Sequence, residues 1–191
     1  MKRHERAIVM GVSAGGTEAL CQLLPIFPAD YPFPLIVVQH LHPLQDDFLA
    51  QHYDSLSALS VKEAEEKEPI QTGFIYIAPP NYHLLIEDDR TFSLSIDPRV
   101  NFARPSIDVL FESAADVYGA RLIGVILTGE NQDGADGLRL IQKRGGLVIV
   151  QDPTTAMAPT MPQAAIGTTH KPHVLSLTGI GSFLLQLGHV G

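Results

Sequence analysis

The stretch AIVMGVSAGGTEAL, residues 7–20, decides the fold. Its first four residues are apolar and partly β-branched, as in a strand that is buried on both faces. A glycine-rich turn follows, and Thr17 to Leu20 opens a helical pattern. A buried strand that passes through a tight turn into a helix is the first half of a parallel βαβ unit. Residues 7–20 therefore predict an α/β protein.

The same alternation continues along the chain. Further apolar strands are predicted at 35–38, 122–127 and 147–150, and helices at 46–59, 105–118, 135–143, 161–166 and 179–187. Alternating runs separated by turn residues, at 74–78, 83–87 and 91–96, predict an inserted β-hairpin. The expected architecture is α/β: a mostly parallel, doubly wound sheet with flanking helices and an inserted β-hairpin, forming a single domain over residues 1–191.

Composition narrows the class of protein. Hydrophobic residues make up 45% of the 191 residues, which is enough to build a core and disfavours disorder. The formal charge of −8 disfavours binding to nucleic acid, whose phosphates repel an acidic surface. The single cysteine excludes an internal disulfide, the first apolar run is too short for a signal peptide, and no run approaches a membrane span. We expect a cytoplasmic protein that is not embedded in a membrane.

Functional side chains are expected where the parallel strands end, because ligands bind at the carboxyl edge of such sheets. Ser13 follows the first predicted strand, and His40 follows the second. The segment 128–133, which ends in Asp133, follows the strand at 122–127. Serine, histidine and carboxylate are the set that a serine hydrolase needs, with Ser13 as nucleophile, His40 as base and Asp133 as the residue that orients the base.

The turn around Ser13 has two interpretations. GVSAG at residues 11–15 matches the G-x-S-x-G pattern of a nucleophile on a sharp strand-to-helix turn. The alternative, a dinucleotide-binding loop of the form G-x-G-x-x-G, is disfavoured because Ser13 replaces the middle glycine and no acidic residue ends the second strand. A serine that only caps a helix, and an Asp133 that only caps the next helix, remain the structural alternatives.

His40 and His42 form an H-x-H pair, which raises the possibility of a metal site. No third strong ligand stands at a typical spacing, so a base and its neighbour are the preferred interpretation. We therefore expect no metal and no other cofactor.

Several segments together resemble one known family, the catalytic domain of bacterial protein-glutamate methylesterase, the CheB family of chemotaxis. The similarity extends from about Ala7 to Leu187. It is carried by GVSAGG at 11–16, VVQH at 37–40, IAPPNYH at 77–83, RPSIDVLF at 104–111, LTG at 127–129 with DGA at 133–135, QDP at 151–153 with Ala156, and MP at 161–162 with AAI at 164–166.

The resemblance implies hydrolysis of glutamate methyl esters on the cytoplasmic helices of chemoreceptors, and family members can also deamidate glutamine. It implies the same roles for Ser13, His40 and Asp133. Ala14, Gly15, Glu130 and Arg104 are the expected oxyanion and substrate residues. Ala14 stands where the best-known members carry threonine, and Glu130-Asn131 replaces their Met-Gly. We expect the Glu130 backbone N–H to serve the oxyanion hole and its carboxylate to stabilise a protonated His40.

Only six residues precede the first strand, so we expect no N-terminal receiver domain of the kind found in the family. A methyltransferase or a separate receiver protein is then a further expected partner. Two other functions stay open at this point. One is an esterase or amidase for another acyl substrate, and the other is a weakly active interaction module of a signalling complex.

Overall fold

The structure, a computed structural model, describes residues 6–40 and 48–189. The strands are β1 (Ala7–Val12), β2 (Leu35–Gln39), β3 (Ser60–Glu63), β4 (Phe74–Ile77), β5 (His83–Ile86), β6 (Phe92–Ser95), β7 (Leu122–Ile126), β8 (Leu147–Gln151) and β9 (His173–Leu175). The α-helices are α1 (Gly16–Leu23), α2 (Phe48–Leu56), α3 (Ile107–Tyr118), α4 (Ala135–Lys143), α5 (Thr160–Thr168) and α6 (Leu177–His189).

Seven strands form one parallel sheet in the order β3-β4-β2-β1-β7-β8-β9. From β1 the chain moves outward to β2, and it later returns to the other side of β1 with β7. The order therefore reverses between β1 and β7, which is the switch point where open α/β sheets form a crevice. The α/β class and the doubly wound parallel sheet predicted from the sequence are confirmed.

The strand residues alternate between two cores. In β1, Ala7 and Val9 pack into the core that includes α3, α4 and α5, whereas Ile8, Met10 and Val12 face the core that includes α1, α2 and α6. Because both faces are covered, the central strands are apolar at nearly every position. The same burial accounts for the continuous apolar runs in the sequence.

The hairpin prediction was wrong for its first strand. Phe74–Ile77 pairs in parallel with β2 and β3, in the main sheet. Ile75, Tyr76 and Ile77 are all buried, so this strand has two apolar faces and requires a central position. Only β5 and β6 form the separate antiparallel pair.

Both edge strands were missed. β3 has the short, charged sequence SVKE, in which only Val61 is buried. The predicted helix at 46–59 was extended almost to this strand, whereas α2 ends at Leu56. β9 is three residues long and mostly exposed. Edge strands bury one side of their backbone only, so short polar ones carry little hydrophobic pattern. The other helices agree with the prediction to within about two residues, which is the usual uncertainty of helix ends.

None of the helices in the described ranges combines the length and the apolar character that crossing a lipid bilayer requires.

Candidate active site

Ser13 is the first residue after β1, which extends two residues beyond the strand predicted at 7–10. Its backbone N–H donates to the Thr128 carbonyl at 2.9 Å, and its own carbonyl accepts the Gly16 N–H at 2.8 Å. Gly15 has a φ of 76°, a left-handed conformation that glycine adopts without strain. The turn therefore holds Ser13, which is half-buried, at the switch point between β1 and β7.

The loop after β7 lies directly against the serine. A Cβ atom on Gly129 would lie 3.0 Å from the Ser13 Cβ and 2.6 Å from the Met161 Cε, so only glycine allows this approach. The buried Thr128 hydroxyl donates to the Ala14 carbonyl at 2.8 Å and joins the two turns. Gly129 thus allows the loop after β7 to pack closely against the serine turn.

His40 lies at the carboxyl end of β2, next to β1. Its backbone N–H donates to the Val12 carbonyl at 3.0 Å, which fixes the histidine beside the serine turn. Its ring nitrogen Nε2 lies 2.8 Å from the Asp133 Oδ2, with side-chain exposures of 12% for His40 and 0% for Asp133. A carboxylate that is fully withdrawn from water and bonded to Nε2 places the ring proton on that nitrogen, so Nδ1 is the nitrogen that can act as a base.

The Asp133 carboxylate sits at the N-terminus of α3. It accepts the N–H groups of Ile107 at 2.7 Å and Asp108 at 3.2 Å, and the Ser106 hydroxyl at 2.8 Å. Free N–H groups at a helix start and the helix dipole both stabilise an anion there. Gly11 makes this possible, because a Cβ at that position would collide with the Ile107 side chain and push α3 away from β1.

These donors determine the ionisation of Asp133. Burial raises the pKa of its carboxyl, but hydrogen bonds from His40, Asn101 and Ile107 outweigh burial and hold that pKa below its ordinary value. Asp133 is therefore an anion near neutral pH, and it favours a proton on Nε2 of His40.

A second buried carboxylate, Asp108, lies beside the first. The Asn101 amide nitrogen bridges the two, at 2.7 Å from the Asp108 Oδ2 and 2.9 Å from the Asp133 Oδ1. Burial, the largest cause, and the negative charge of Asp133 together raise the pKa of Asp108 to about 6, against the opposing hydrogen bonds from Gly137 and Asn101. The two neighbouring acids thus shift in opposite directions, because the charged form of Asp133 has more donors.

Asn131 contacts the other side of the histidine ring. Its Nδ2 lies 3.2 Å from the His40 Nδ1, and its Oδ1 accepts the Asp133 backbone N–H at 3.0 Å. The Oδ1 bond fixes the orientation of the amide, so the group that faces Nδ1 is a donor. His40 then carries its proton on Nε2 and presents a lone pair on Nδ1.

Ser13, His40 and Asn131 line one cavity of about 300 Å³. The other lining residues come from the β2 end and from the loops that precede α3: Gln39, Ala78, Pro80, Asn81, Arg99, Asn101, Phe102, Ala103, Arg104 and Pro105. The volume is at the small end of the range for ligand sites, and it suits one side chain rather than a large metabolite.

The remaining predicted residues lie at different distances from this cavity. Arg104 lines it, and its guanidinium donates to the carbonyls of Ile96 at 2.7 Å and Asp97 at 3.1 Å. Gly15 lines a separate polar depression, Ala14 lines neither, and the Glu130 side chain is exposed and outside the cavity lining. The expected effect of the Glu130 carboxylate on His40 has no support in this arrangement.

The metal alternative depends on His42, which lies outside the described residues. Across residues 6–40 and 48–189, the structure shows no group of three or more His, Cys, Asp and Glu side chains arranged for a metal ion.

Comparison with known proteins assigns the fold to a family. The family model described as CheB methylesterase matches residues 8–184. The chain belongs to the CheB methylesterase family. A crystal structure of the Thermotoga maritima CheB methylesterase catalytic domain superposes with a TM-score of 0.90 at 36% identity, covering 95% of this chain and 98% of that one.

Curated relatives in the CheB methylesterase family fall into two length groups. A putative protein-glutamate methylesterase/protein-glutamine glutaminase of Leptospira interrogans is 53% identical, and the match covers 95% of this chain and 94% of the relative. The protein-glutamate methylesterase/protein-glutamine glutaminase of Symbiobacterium thermophilum is 42% identical, and the match covers 95% of this chain but 50% of the relative.

Reasoning from the sequence missed Asn101 and Asn131, which contact the Asp133 carboxylate and the His40 ring. Both are amides in loops without periodicity, so no pattern marked them. Ser106 and Asp108 lay within the RPSIDVLF segment that resembled the family, but that segment assigned them no contact.

Proposed function

We propose that this chain is a protein-glutamate methylesterase with Ser13 as nucleophile, His40 as general base and Asp133 as the orienting carboxylate. One observation carries the proposal: the 2.8 Å bond between His40 and the buried Asp133, in a cavity wall that His40 shares with Ser13. The family assignment and the names of the relatives support an ester hydrolase of this kind.

In the proposed mechanism, the Ser13 hydroxyl displaces the Asn131 amide from Nδ1 of His40 and gives its proton to that nitrogen. The serine oxygen attacks the ester carbonyl, and the resulting imidazolium is stabilised by Asp133 through Nε2. The imidazolium then protonates the leaving methoxide, and methanol departs. Water activated by the same nitrogen cleaves the glutamyl-serine ester and releases glutamate and free Ser13.

The oxyanion of the tetrahedral intermediate needs N–H donors. The backbone N–H groups of Ala14 and Glu130 are the proposed donors, since neither has an acceptor among the described residues. Gly15 supports this role indirectly, because its left-handed φ turns the chain after Ser13. The printed names of the relatives include protein-glutamine glutaminase, and hydrolysis of a glutamine amide would pass through the same acyl intermediate.

The proposed substrate is a methylated glutamate on the cytoplasmic helices of chemoreceptors, and the proposed site of action is the cytoplasm. A methyltransferase or a separate receiver protein would then bring the enzyme to its substrate. One catalytic domain over residues 1–191 is sufficient for the chemistry proposed here.

The nucleophile assignment is tested by labelling with a fluorophosphonate probe, followed by mass mapping of the modified peptide. We expect one phosphonylated residue, Ser13, and no labelling of the Ser13→Ala protein. Ser57→Ala is the matched control, because this serine lies outside the cavity lining, and its labelling should equal wild type. Modification at another serine, or undiminished labelling of Ser13→Ala, would contradict the assignment.

A further inference from the structure

The loop 96–104, between β6 and α3, has an unusual surface. Eight large hydrophobic side chains are exposed in the described part of the chain, and three of them, Ile96, Val100 and Phe102, belong to this loop. Phe102 is 96% exposed and also lines the mouth of the cavity that contains Ser13. Exposed apolar side chains grouped in one loop, one of them lining a cavity, mark a binding surface more often than scattered single ones do.

The backbone that holds Phe102 in this exposed position is strained. Asn101 has a φ of 51° and Phe102 a φ of 63°, at the centre of a turn closed by two hydrogen bonds between Val100 and Ala103. Asparagine tolerates the left-handed region, but a bulky residue there is strained by roughly 1–2 kcal/mol. Because this strain does not help the protein to fold, we take the exposed position of the aromatic side chain to be the function of the turn.

The same turn is tied to the catalytic carboxylate. The Asn101 side chain points inward and donates to both Asp108 and Asp133, so the turn cannot relax without breaking these bonds. Phe102 is therefore held at a fixed place relative to His40. A rigid aromatic residue loses little entropy on binding, which suits it to anchor a partner.

The loop is also basic in an acidic protein. Arg99 and Arg104 both line the cavity, and neither forms an ion pair with a carboxylate of residues 6–40 or 48–189. Two arginines against one acid, Asp97, give the loop a net charge of +1, the opposite sign to the formal charge of −8 of the chain. The Arg104 guanidinium is bonded to the Ile96 and Asp97 carbonyls, so the exposed Arg99 is the cation that a partner can reach. The complementary partner is acidic and partly apolar.

We propose that loop 96–104 is the docking surface for the substrate protein, an acidic amphipathic helix that carries the esterified glutamate. This inference rests on the proposed function and names the part of the molecule that recognises the helix. The ester side chain enters the cavity toward Ser13. An apolar side chain three or four residues away, on the same face of the helix, packs against Phe102, and a nearby carboxylate pairs with Arg99.

The test compares two substrates of Phe102→Asn, a change that relieves backbone strain because asparagine accepts a positive φ. The loss of kcat/KM on a methylated helical receptor fragment should exceed the loss on p-nitrophenyl acetate by about tenfold. The melting temperature should not fall. Phe102→Leu should recover most of the activity on the fragment, and Val174→Asn, which removes an exposed apolar side chain from edge strand β9, should act like wild type. Equal losses on both substrates, or none, would overturn the inference.

Binding separates this inference from the proposed function. In a Ser13→Ala background, Phe102→Asn should raise the Kd for a fluorescent methylated fragment about tenfold. Added salt should also raise this Kd, and the salt dependence should be weaker in the Arg99→Gln protein. If the wild type released no methanol, the proposed function would be wrong. The binding measurement would still test the docking surface. An unchanged Kd in Phe102→Asn would contradict the docking surface even in an active methylesterase.

Discussion

Asn131 and Asp133 bind the two ring nitrogens of His40 from opposite sides. The Asn131 Nδ2 lies 3.2 Å from Nδ1, and the Asp133 Oδ2 lies 2.8 Å from Nε2. Because the Asn131 Oδ1 accepts the Asp133 backbone N–H, the two residues form one unit that fixes the ring, its tautomer and the direction of its lone pair. In the proposed mechanism, the amide must leave Nδ1 so that the Ser13 hydroxyl can reach it.

Asn131→Asp should therefore damage catalysis in a characteristic way. The aspartate keeps the acceptor for the Asp133 N–H but replaces the donor at Nδ1 with an anion, which favours the protonated ring. The pH at which kcat/KM is half-maximal should rise by about one unit or more. At the same pH, the ¹⁵N shifts of His40 should show a larger protonated fraction of the ring in Asn131→Asp than in the wild type. Gln132→Glu adds the same charge at an exposed neighbour and should leave both readouts unchanged.

Asp133→Asn should lower kcat by about 10³–10⁴-fold while the fold is retained. An amide has one acceptor oxygen, so it cannot accept hydrogen bonds both from His40 Nε2 and from the N–H groups at the start of α3. The proton on Nε2 is then no longer favoured, and the imidazolium has no counter-charge. Steady-state kinetics and circular dichroism measure the two effects. Asp136→Asn removes an equal charge from an exposed site one helical turn away, and a comparable loss there would reject a specific role for Asp133.

Gly129→Ala should reduce both stability and activity. Its Cβ would meet Met161 Cε at 2.6 Å and Ser13 Cβ at 3.0 Å, and such overpacking costs about 1–3 kcal/mol. Shortening Met161 to alanine in the same protein removes the first contact only. The double variant should regain room beside the new methyl group, yet hydrolysis should stay low because Ser13 is still displaced. Recovery of full activity would mean that the contact with Ser13 is unimportant.

Asp108 should make the protein less stable as pH rises from about 4 to 6. Its folded-state pKa of about 6 is above its ordinary value of 3.8, so the native state binds the extra proton in this window and loses that advantage once the carboxyl ionises. Asp108→Asn should flatten the decline by about 1–3 kcal/mol, measured by urea unfolding at several pH values. The exposed Asp88→Asn is the control, and an unaltered pH profile in Asp108→Asn would contradict the assignment.

The central sheet was predictable because its strands are buried on both faces and its turns are rich in glycine. β4 was assigned to the wrong sheet because the sequence near it is dominated by turn residues, and which strand it pairs with depends on long-range packing against β2 and β3. The short edge strands β3 and β9 bury too little apolar surface to leave a pattern.

The candidate triad could be proposed because parallel strands place Ser13, His40 and Asp133 at one edge of the sheet. The residues that orient and charge this triad could not be predicted from the sequence. Asn101 and Ser106 reach Asp133 through loop conformation and the close packing of α3 on Gly11, neither of which has a sequence period. Glu130, expected to face the site, is exposed instead, and its neighbour Asn131 contacts the histidine.

Methanol release from a methylated chemoreceptor fragment tests the central claim most directly. The wild-type chain should release methanol stoichiometrically with the loss of glutamate methyl ester, and Ser13→Ala and His40→Ala should each abolish release. The Ser13→Ala/His40→Ala double variant should be no worse than either single variant, because the two residues act as a unit. Methanol release at the wild-type rate by Ser13→Ala, or multiplicative losses in the double variant, would contradict a methylesterase that works through Ser13 and His40.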